Sequence, residues 1–212
     1  MRIVAGAGPG NPEYLTTEVL QAIKAAEKVL AFGRIKESLA EIRQNIIAVN
    51  RVDEVLTVLK QNSDVLILVS GDPCFFGIVD YLKRQGVIID KVLPGISAVQ
   101  YFAARLRLSW SGACVLSFHG RPLELENIRG ETCFFFTDRE NTPRKIAEAL
   151  AEAGYTGDFY AGYRLSYSDE KIIRVRIGEI LEENDAVSMA AAVFNTAKEP
   201  EKTIRIDIAP CN

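Results

Sequence analysis

Two glycine-rich segments constrain the fold of this chain more than any other feature. A short strand-like run at residues 1–4 leads into Gly6-Ala7-Gly8-Pro9-Gly10, and the apolar run Val65–Val69 leads into Ser70-Gly71-Asp72-Pro73. A buried parallel strand breaks into a tight loop in this way, at the edge where open α/β sheets bind ligands. The pattern therefore predicts two neighbouring strands whose glycine loops lie side by side.

The first half of the chain alternates predicted strands with predicted helices. Between residues 15 and 23 the apolar positions recur at spacings of three and four, which is typical of an amphipathic helix. Similar patterns predict strands at 28–32, 46–49, 65–69 and 87–92, and helices at 53–60, 75–84 and 94–106. Such alternation implies right-handed crossovers and a mostly parallel sheet.

The second half is richer in strands. The sequence predicts a helix at 142–153, ended by Gly154, and strands at 113–118, 132–136, 158–161, 172–177, 186–194 and 203–208. Most of these strands are too close together for helical crossovers, so we expect a mixed sheet. We therefore predict an α/β protein with an N-terminal domain at 1–120 and a C-terminal domain at 121–212.

Composition narrows the classes of partner. The net charge is −3 and the Lys and Arg residues are dispersed, which argues against nucleic acid as the main partner. The sequence has neither a signal-peptide pattern nor an apolar run of membrane-spanning length, so we expect a cytoplasmic protein without a membrane partner. The four cysteines are scattered and His119 is the single histidine, so no metal site is expected.

The first glycine loop does not match the common nucleotide-binding motifs. The dinucleotide fingerprint needs a sixth-position glycine, where this chain has Asn11 followed by Pro12, and an acid after the second strand, which is missing. A P-loop is excluded because Gly-Lys-Ser/Thr does not occur. What the loop offers is exposed backbone that a ligand can approach closely.

Two further features lie at predicted strand ends. Asp72 could accept hydrogen bonds from ribose hydroxyls or an ammonium group, or could instead cap the helix that follows it. Pro94-Gly95-Ile96-Ser97 forms a third glycine-proline turn. Three such turns at three strand ends indicate one binding site for a small molecule.

In chain order these motifs read Gly-x-Gly-Pro-Gly-x-x-x-x-Leu-Thr, Ser-Gly-Asp-Pro and Pro-Gly-Ile-Ser. They resemble the tetrapyrrole (corrin/porphyrin) methylase family over essentially the whole chain, and residues 165–172 look like the hairpin of its second domain. Ala98 departs from the pattern, because many relatives carry serine there. The stretch at residues 117–122, Ser-Phe-His-Gly-Arg-Pro, favours members that methylate carbon 5 of a late corrin precursor.

The resemblance implies a two-domain fold with the active site in the cleft between the domains, a homodimer, and S-adenosylmethionine as cofactor. In some members this activity is fused to a carbon-15 methyltransferase/decarboxylase, which we expect to be a separate partner here. The cofactor contacts that the resemblance implies fall on Pro9, Ser70, Gly71, Asp72, Phe75, Ser97, Ala98, Thr137, Tyr163 and Ala191.

Three residues are candidates for contact with the tetrapyrrole. Arg34 and Arg121 are expected to bind its carboxylates, because each follows a glycine at the mouth of the cleft. His119 could accept a proton, contact a substrate carboxylate, or only hydrogen-bond the linker backbone. Two alternative functions stay open: methylation of another ring carbon, and a non-catalytic module that binds S-adenosylmethionine or a nucleotide.

Overall fold

The structure is a computed structural model that describes residues 1–182, 184 and 186–195. Its first half alternates strands and helices, as the sequence predicts. The elements are β1 (Arg2–Gly6), a 3-10 turn (Pro12–Tyr14), α1 (Thr17–Ala25), β2 (Val29–Phe32), α2 (Ile35–Ser38), β3 (Ile46–Val49), α3 (Val52–Gln61), β4 (Val65–Val69), α4 (Val79–Arg84), β5 (Lys91–Leu93) and α5 (Ala98–Leu106).

The first sheet is parallel throughout, with the strand order β3-β2-β4-β1-β5. All five residues of β4 are buried, because helices cover both faces of the sheet. Val19 and Ile23 of α1 pack on one face, and Val55 and Leu59 of α3 pack on the other. No helix in the described part of the chain is long and apolar enough to cross a membrane.

The second half forms a mixed sheet, which confirms the prediction. Its elements are β6 (Cys114–Ser117), β7 (Thr132–Phe136), α6 (Pro143–Glu152), β8 (Gly157–Tyr163), β9 (Lys171–Arg176) and β10 (Ser188–Phe194). The strand order is β6-β7-β10-β8-β9, in which only the β6–β7 pair is parallel. The strand predicted at 203–208 lies outside the described residues.

The chain passes from the first sheet to the second between α5 and β6. Strand β6 pairs with β7, although it precedes the domain boundary predicted at residue 120. The division into domains at that residue stays a prediction, and the strand pairing shows that the second sheet begins earlier in the chain.

The fourth helix begins later than its sequence pattern predicts. The predicted helix spans 75–84, but α4 begins at Val79. Phe76 has a φ of 51°, which is incompatible with a right-handed helix. A side chain at Gly77 would lie 2.1 Å from the Pro73 carbonyl oxygen, so the chain is tightly folded there. Local turns therefore replace the first helical turn.

The three glycine loops pack backbone against backbone. The Gly71 amide donates to the Gly8 carbonyl at 2.8 Å, which confirms that the first two loops lie side by side. A Cβ atom added at Gly6 would lie 2.4 Å from the Gly71 carbonyl oxygen, and one at Gly95 would lie 2.3 Å from the same oxygen. Only glycine fits at these two positions.

Helix α5 joins the halves through apolar contacts. Val99, Phe102 and Ala103 form one buried cluster with Phe134 and Met189 of the second sheet. Since α5 follows the third glycine loop directly, this packing fixes the loops relative to the second sheet.

A group of polar contacts, here called the Glu170 network, also joins the halves. The Glu170 carboxylate accepts hydrogen bonds from the Tyr101 hydroxyl at 2.6 Å, the Ser166 amide at 2.7 Å and the Arg105 Nε at 2.7 Å. The Ser166 hydroxyl accepts from the Asn11 amide at 2.9 Å. Burial of the Glu170 side chain raises its pKa, but the hydrogen bonds from Tyr101, Ser166 and Arg105 outweigh it and hold the pKa below its usual range.

Gly95→Ala is expected to destabilise the fold by about 2 kcal/mol or more, because the new methyl group meets backbone that cannot move aside. Urea unfolding measures this loss. Gly33→Ala serves as the control, since Gly33 has a φ of 45° with nothing within 4 Å of the added atom. That control costs only about 1 kcal/mol of backbone strain. Equal stability of the Gly95→Ala variant and the unaltered protein would contradict the packing described.

Glu170→Gln is expected to lower the free energy of unfolding by about 1–3 kcal/mol at pH 7, because donors then face an amide nitrogen. The folded-state pKa of Glu170 is depressed, so its contribution is complete above the unfolded-state value of about 4.3. The contribution disappears as the pH falls through the folded-state pKa. The difference in free energy of unfolding between the unaltered protein and the Glu170→Gln variant should therefore shrink as the pH is lowered from 7. Glu148→Gln, at an exposed ion pair with Arg144, is the control.

Candidate active site

A cleft of about 1290 Å³ lies where the loops of the second sheet face the loop after β2. Most of its walls come from segments that directly follow or precede strands, which is where α/β sheets bind ligands. The residues lining it are Arg34, His119, Gly120, Arg121, Pro122, Thr137, Asp138, Arg139, Glu140, Asn141, Thr142, Arg164, Asn184, Ala186, Val187 and Ser188.

Four arginines outnumber the two acids that line the cleft, Asp138 and Glu140, so its surface is net cationic. Arg34 and Arg121, which the sequence analysis singled out, both line it, and so do Arg139 and Arg164. The last two were missed, although Arg164 directly follows β8 and Arg139 is the third residue after β7. Arg164 pairs with Asp169 at 2.5 Å. A wall with several guanidinium groups suits a ligand that carries several carboxylates.

Two loops of the cleft are tied together by Asp138. Its carboxylate accepts from the backbone amides of Gly120 at 2.6 Å, Asn141 at 2.6 Å and Glu140 at 2.9 Å. Burial raises the pKa of Asp138, but these three amide hydrogen bonds outweigh it and leave the pKa below its usual value. The Asn141 side chain in turn donates to the carbonyl oxygen of Arg121 at 3.0 Å. The loop that carries Arg121 is therefore held in place.

The predicted proton acceptor, His119, is exposed on the wall of the cleft. Its Nδ1 lies 3.3 Å from the Thr137 carbonyl oxygen. A carbonyl oxygen only accepts hydrogen bonds, so this contact places the proton on Nδ1 and leaves Nε2 as an acceptor.

The structure brings the first group of predicted cofactor residues together at the three glycine loops. Pro9 lies in the first loop, Ser70, Gly71 and Asp72 lie in the second, and Ser97 follows the third. The Asp72 carboxylate accepts from the amides of Cys74 at 2.8 Å and Gly95 at 3.1 Å. Asp72 therefore stabilises the turn before α4, and each of its oxygens keeps a lone pair for a ligand.

The start of α5 is formed by a capping box. The Ser97 hydroxyl accepts from the Gln100 amide at 3.1 Å, and the Gln100 side chain accepts from the Ser97 amide at 2.8 Å. Ser97 is 5% exposed, so its side chain serves the helix. Ala98 is the first helical residue. Because Ser97 and Gln100 form the cap, alanine in place of the serine of many relatives does not disturb it.

Two other predicted cofactor residues lie at one corner of the second sheet. The Thr137 hydroxyl is 2.5 Å from the Ser188 carbonyl oxygen, and Tyr163 pairs with Ser188 in the sheet. Tyr163 is only 2% exposed and does not line the cleft, so its contact with a cofactor stays a prediction. Ala191 is fully buried between Phe134 and Tyr160 in the sheet ladder. The structure does not bring Ala191 to the cleft surface, and its contact with a cofactor stays a prediction.

An aromatic cluster connects the second glycine loop with this corner. The ring centroids of Phe75 and Phe76 lie 6.1 and 5.4 Å from that of Phe136, which directly precedes Thr137. Phe75 is 38% exposed and Phe76 is 49% exposed. The sequence analysis predicted a ligand contact for Phe75 and missed its neighbour, because consecutive phenylalanines also occur in ordinary cores.

Residues 3–181 match the family model for tetrapyrrole (corrin/porphyrin) methylases. The chain belongs to this family. It is 28% identical to a probable cobalt-precorrin-7 C(5)-methyltransferase of Methanocaldococcus jannaschii, over 85% of this chain and 91% of the relative. It is 30% identical to the cobalt-precorrin-7 C(5)-methyltransferase of Salmonella typhimurium, over 81% of this chain and 85% of the relative.

A solved structure has the same fold. The uroporphyrin-III C-methyl transferase of Thermus thermophilus, crystallised with S-adenyl homocysteine, superposes with a TM-score of 0.75 at 24% identity, covering 91% of this chain and 92% of that one. As a member of the tetrapyrrole methylase family, the chain is a methyltransferase that uses S-adenosylmethionine.

The glycine loops suit S-adenosylmethionine chemically. Glycine at positions 6 and 95 lets the three loops pack backbone against backbone, so one ligand can reach all three. Asp72 supplies an acceptor for hydroxyl or ammonium groups, and the exposed rings of Phe75 and Phe76 supply apolar surface. These residues would hold the cofactor, which supplies an electrophilic methyl group.

Asp72→Ala is expected to weaken S-adenosylmethionine binding by roughly 1–3 kcal/mol, because it removes an acceptor and the tie to Gly95. Titration calorimetry on the folded variant measures the affinity. Asp80→Ala, which removes an exposed acid from the nearby helix α4, is the matched control and should leave affinity unchanged. Unaltered affinity in a folded Asp72→Ala protein would exclude the acid from the cofactor site.

Proposed function

We propose that this methyltransferase transfers a methyl group to carbon 5 of cobalt-precorrin-7 in cobalamin biosynthesis. The observation that carries the proposal is the cleft of about 1290 Å³ lined by Arg34, Arg121, Arg139 and Arg164. Its volume suits a large macrocycle, and its guanidinium groups suit the several carboxylates of a corrin precursor. The names of the two relatives and the Ser-Phe-His-Gly-Arg-Pro stretch support carbon 5 as the acceptor.

In this proposal the protein acts mainly by positioning. The arginines bind the substrate carboxylates, and the glycine loops orient the methyl donor toward the ring. Holding two reactants in line accounts for about 7–11 kcal/mol of barrier in favourable cases. The reduced macrocycle supplies a nucleophilic enamine-like carbon, so the protein needs no nucleophile of its own.

His119 is the proposed acceptor of the proton that the substrate loses. It lies on the wall of the cleft, and its Nε2 is the ring nitrogen left to accept after Nδ1 bonds to Thr137. Histidine is the side chain that most often transfers protons in enzymes.

The assembly is also part of the proposal. The family resemblance favours a homodimer, and a separate carbon-15 methyltransferase/decarboxylase is the proposed partner in the same biosynthesis. The cytoplasmic location expected from the sequence pattern is also part of the proposal.

The test is an anaerobic incubation with methyl-labelled S-adenosylmethionine and cobalt-precorrin-7, followed by NMR of the product. Label at carbon 5 is the expected result. Label at another ring carbon would assign the chain to a different reaction of the same family. If S-adenosylmethionine binds but no label is transferred to either the cobalt-containing or the metal-free substrate, a non-catalytic binding module is favoured.

His119→Asn is expected to lower kcat by about 10²-fold or more, with little change in KM. The asparagine amide takes the place of Nδ1 and keeps the contact with Thr137, so the variant removes only the acceptor nitrogen. Steady-state kinetics measures both constants. A raised KM at unchanged kcat would instead make His119 a substrate contact. Unchanged kcat and KM would limit the role of His119 to its hydrogen bond with the Thr137 carbonyl oxygen.

A further inference from the structure

The turn between β8 and β9 has an unusual backbone. Arg164 and Ser166 have φ values of 46° and 72°, a left-handed conformation that residues with side chains rarely adopt. Such a conformation persists only where the surrounding structure holds it. Here the Glu170 carboxylate holds it, by accepting from the Ser166 amide at 2.7 Å.

The same turn contacts the first glycine loop. The Ser166 hydroxyl accepts from the Asn11 amide at 2.9 Å, and Ser166 is only 5% exposed. The Tyr167 ring covers Gly10 so closely that a Cβ atom there would lie 2.5 Å from it. The position of Gly10 and Asn11 therefore depends on the conformation of the turn.

Glu170 is also anchored on the helix that follows the third glycine loop. It accepts from Tyr101 at 2.6 Å and from Arg105 at 2.7 Å, both on α5. The Glu170 side chain is 10% exposed, so its carboxylate is largely shielded from solvent, whereas the Arg105 side chain is 54% exposed. One carboxylate thus connects the first loop, through Ser166, with the helix that begins at the third loop.

We propose that Glu170 is a positioning residue for the cofactor site, acting through Ser166 on the first glycine loop. It touches neither the donor nor the ring. The inference rests on the proposed use of the first glycine loop to hold S-adenosylmethionine. Without the Glu170 carboxylate the turn relaxes, and the backbone at Pro9 and Gly10 loses the geometry that the cofactor requires.

The experiment measures S-adenosylhomocysteine affinity by calorimetry for Glu170→Gln, Ser166→Gly and the double variant. Ser166→Gly keeps the left-handed backbone without steric cost and removes only the side chain that bonds Asn11. Glu148→Gln, an exposed acid on α6, is the matched control. Circular dichroism and a denaturation midpoint confirm that each protein is folded at the temperature of the titration.

Each single variant is expected to weaken binding about fivefold or more, which corresponds to one lost hydrogen bond. If Glu170 acts through Ser166, the double variant binds no more weakly than the weaker single one, within about twofold. Affinity of the control should stay within about twofold of the unaltered protein.

Three results would overturn the inference. Unchanged affinity in folded Ser166→Gly would do so alone, even if Glu170→Gln failed to fold. Losses that multiply in the double variant would show that the two residues act independently. A purely structural Glu170 would lower the denaturation midpoint and leave affinity unchanged. The titration contains no tetrapyrrole, so its result does not depend on which ring carbon is methylated. Failure of the unaltered protein to bind S-adenosylhomocysteine would instead overturn the proposed function itself.

Discussion

The contact between three glycine loops is the constraint on which the rest of the structure depends. The Gly71 carbonyl oxygen occupies the space that a side chain at Gly6 or Gly95 would need. Backbone therefore meets backbone at the carboxyl ends of β1, β4 and β5. This contact brings the backbone of the three loops, the Asp72 carboxylate and the start of α5 to one place, which no single loop could do.

Contacts of helix α5, which begins at the third glycine loop, set the position of the second half of the chain. Helix α5 leaves the third loop and packs Phe102 against Phe134 of the second sheet. Glu170 adds a polar tie between α5 and the β8–β9 turn. The loops after β6, β7 and β8 then form the cationic wall of a cleft that faces Arg34. The glycine loops and the arginine-lined wall of the cleft thus take their relative positions from one packing arrangement.

The sequence predicts the parts whose cause is local. Strand-to-glycine junctions identified the loops, and Arg34, His119 and Arg121 were found because they follow strand ends. The late start of α4 was missed because the left-handed Phe76 is stabilised by packing on Phe136, which is remote in sequence. The partners of Glu170 were missed for the same reason. Their roles arise from contacts between the halves, which periodicity cannot show.

The central claim is that the glycine loops and the corner of the second sheet near Thr137 form one cofactor site. A crystal structure of the protein with S-adenosylhomocysteine tests it most directly. The account predicts density in contact with Pro9, with residues 70–75 and with residues 97–98, reaching toward Thr137. Density confined to the smaller cavity between Arg34 and Tyr167, without contact to residues 70–75 or 97–98, would contradict it.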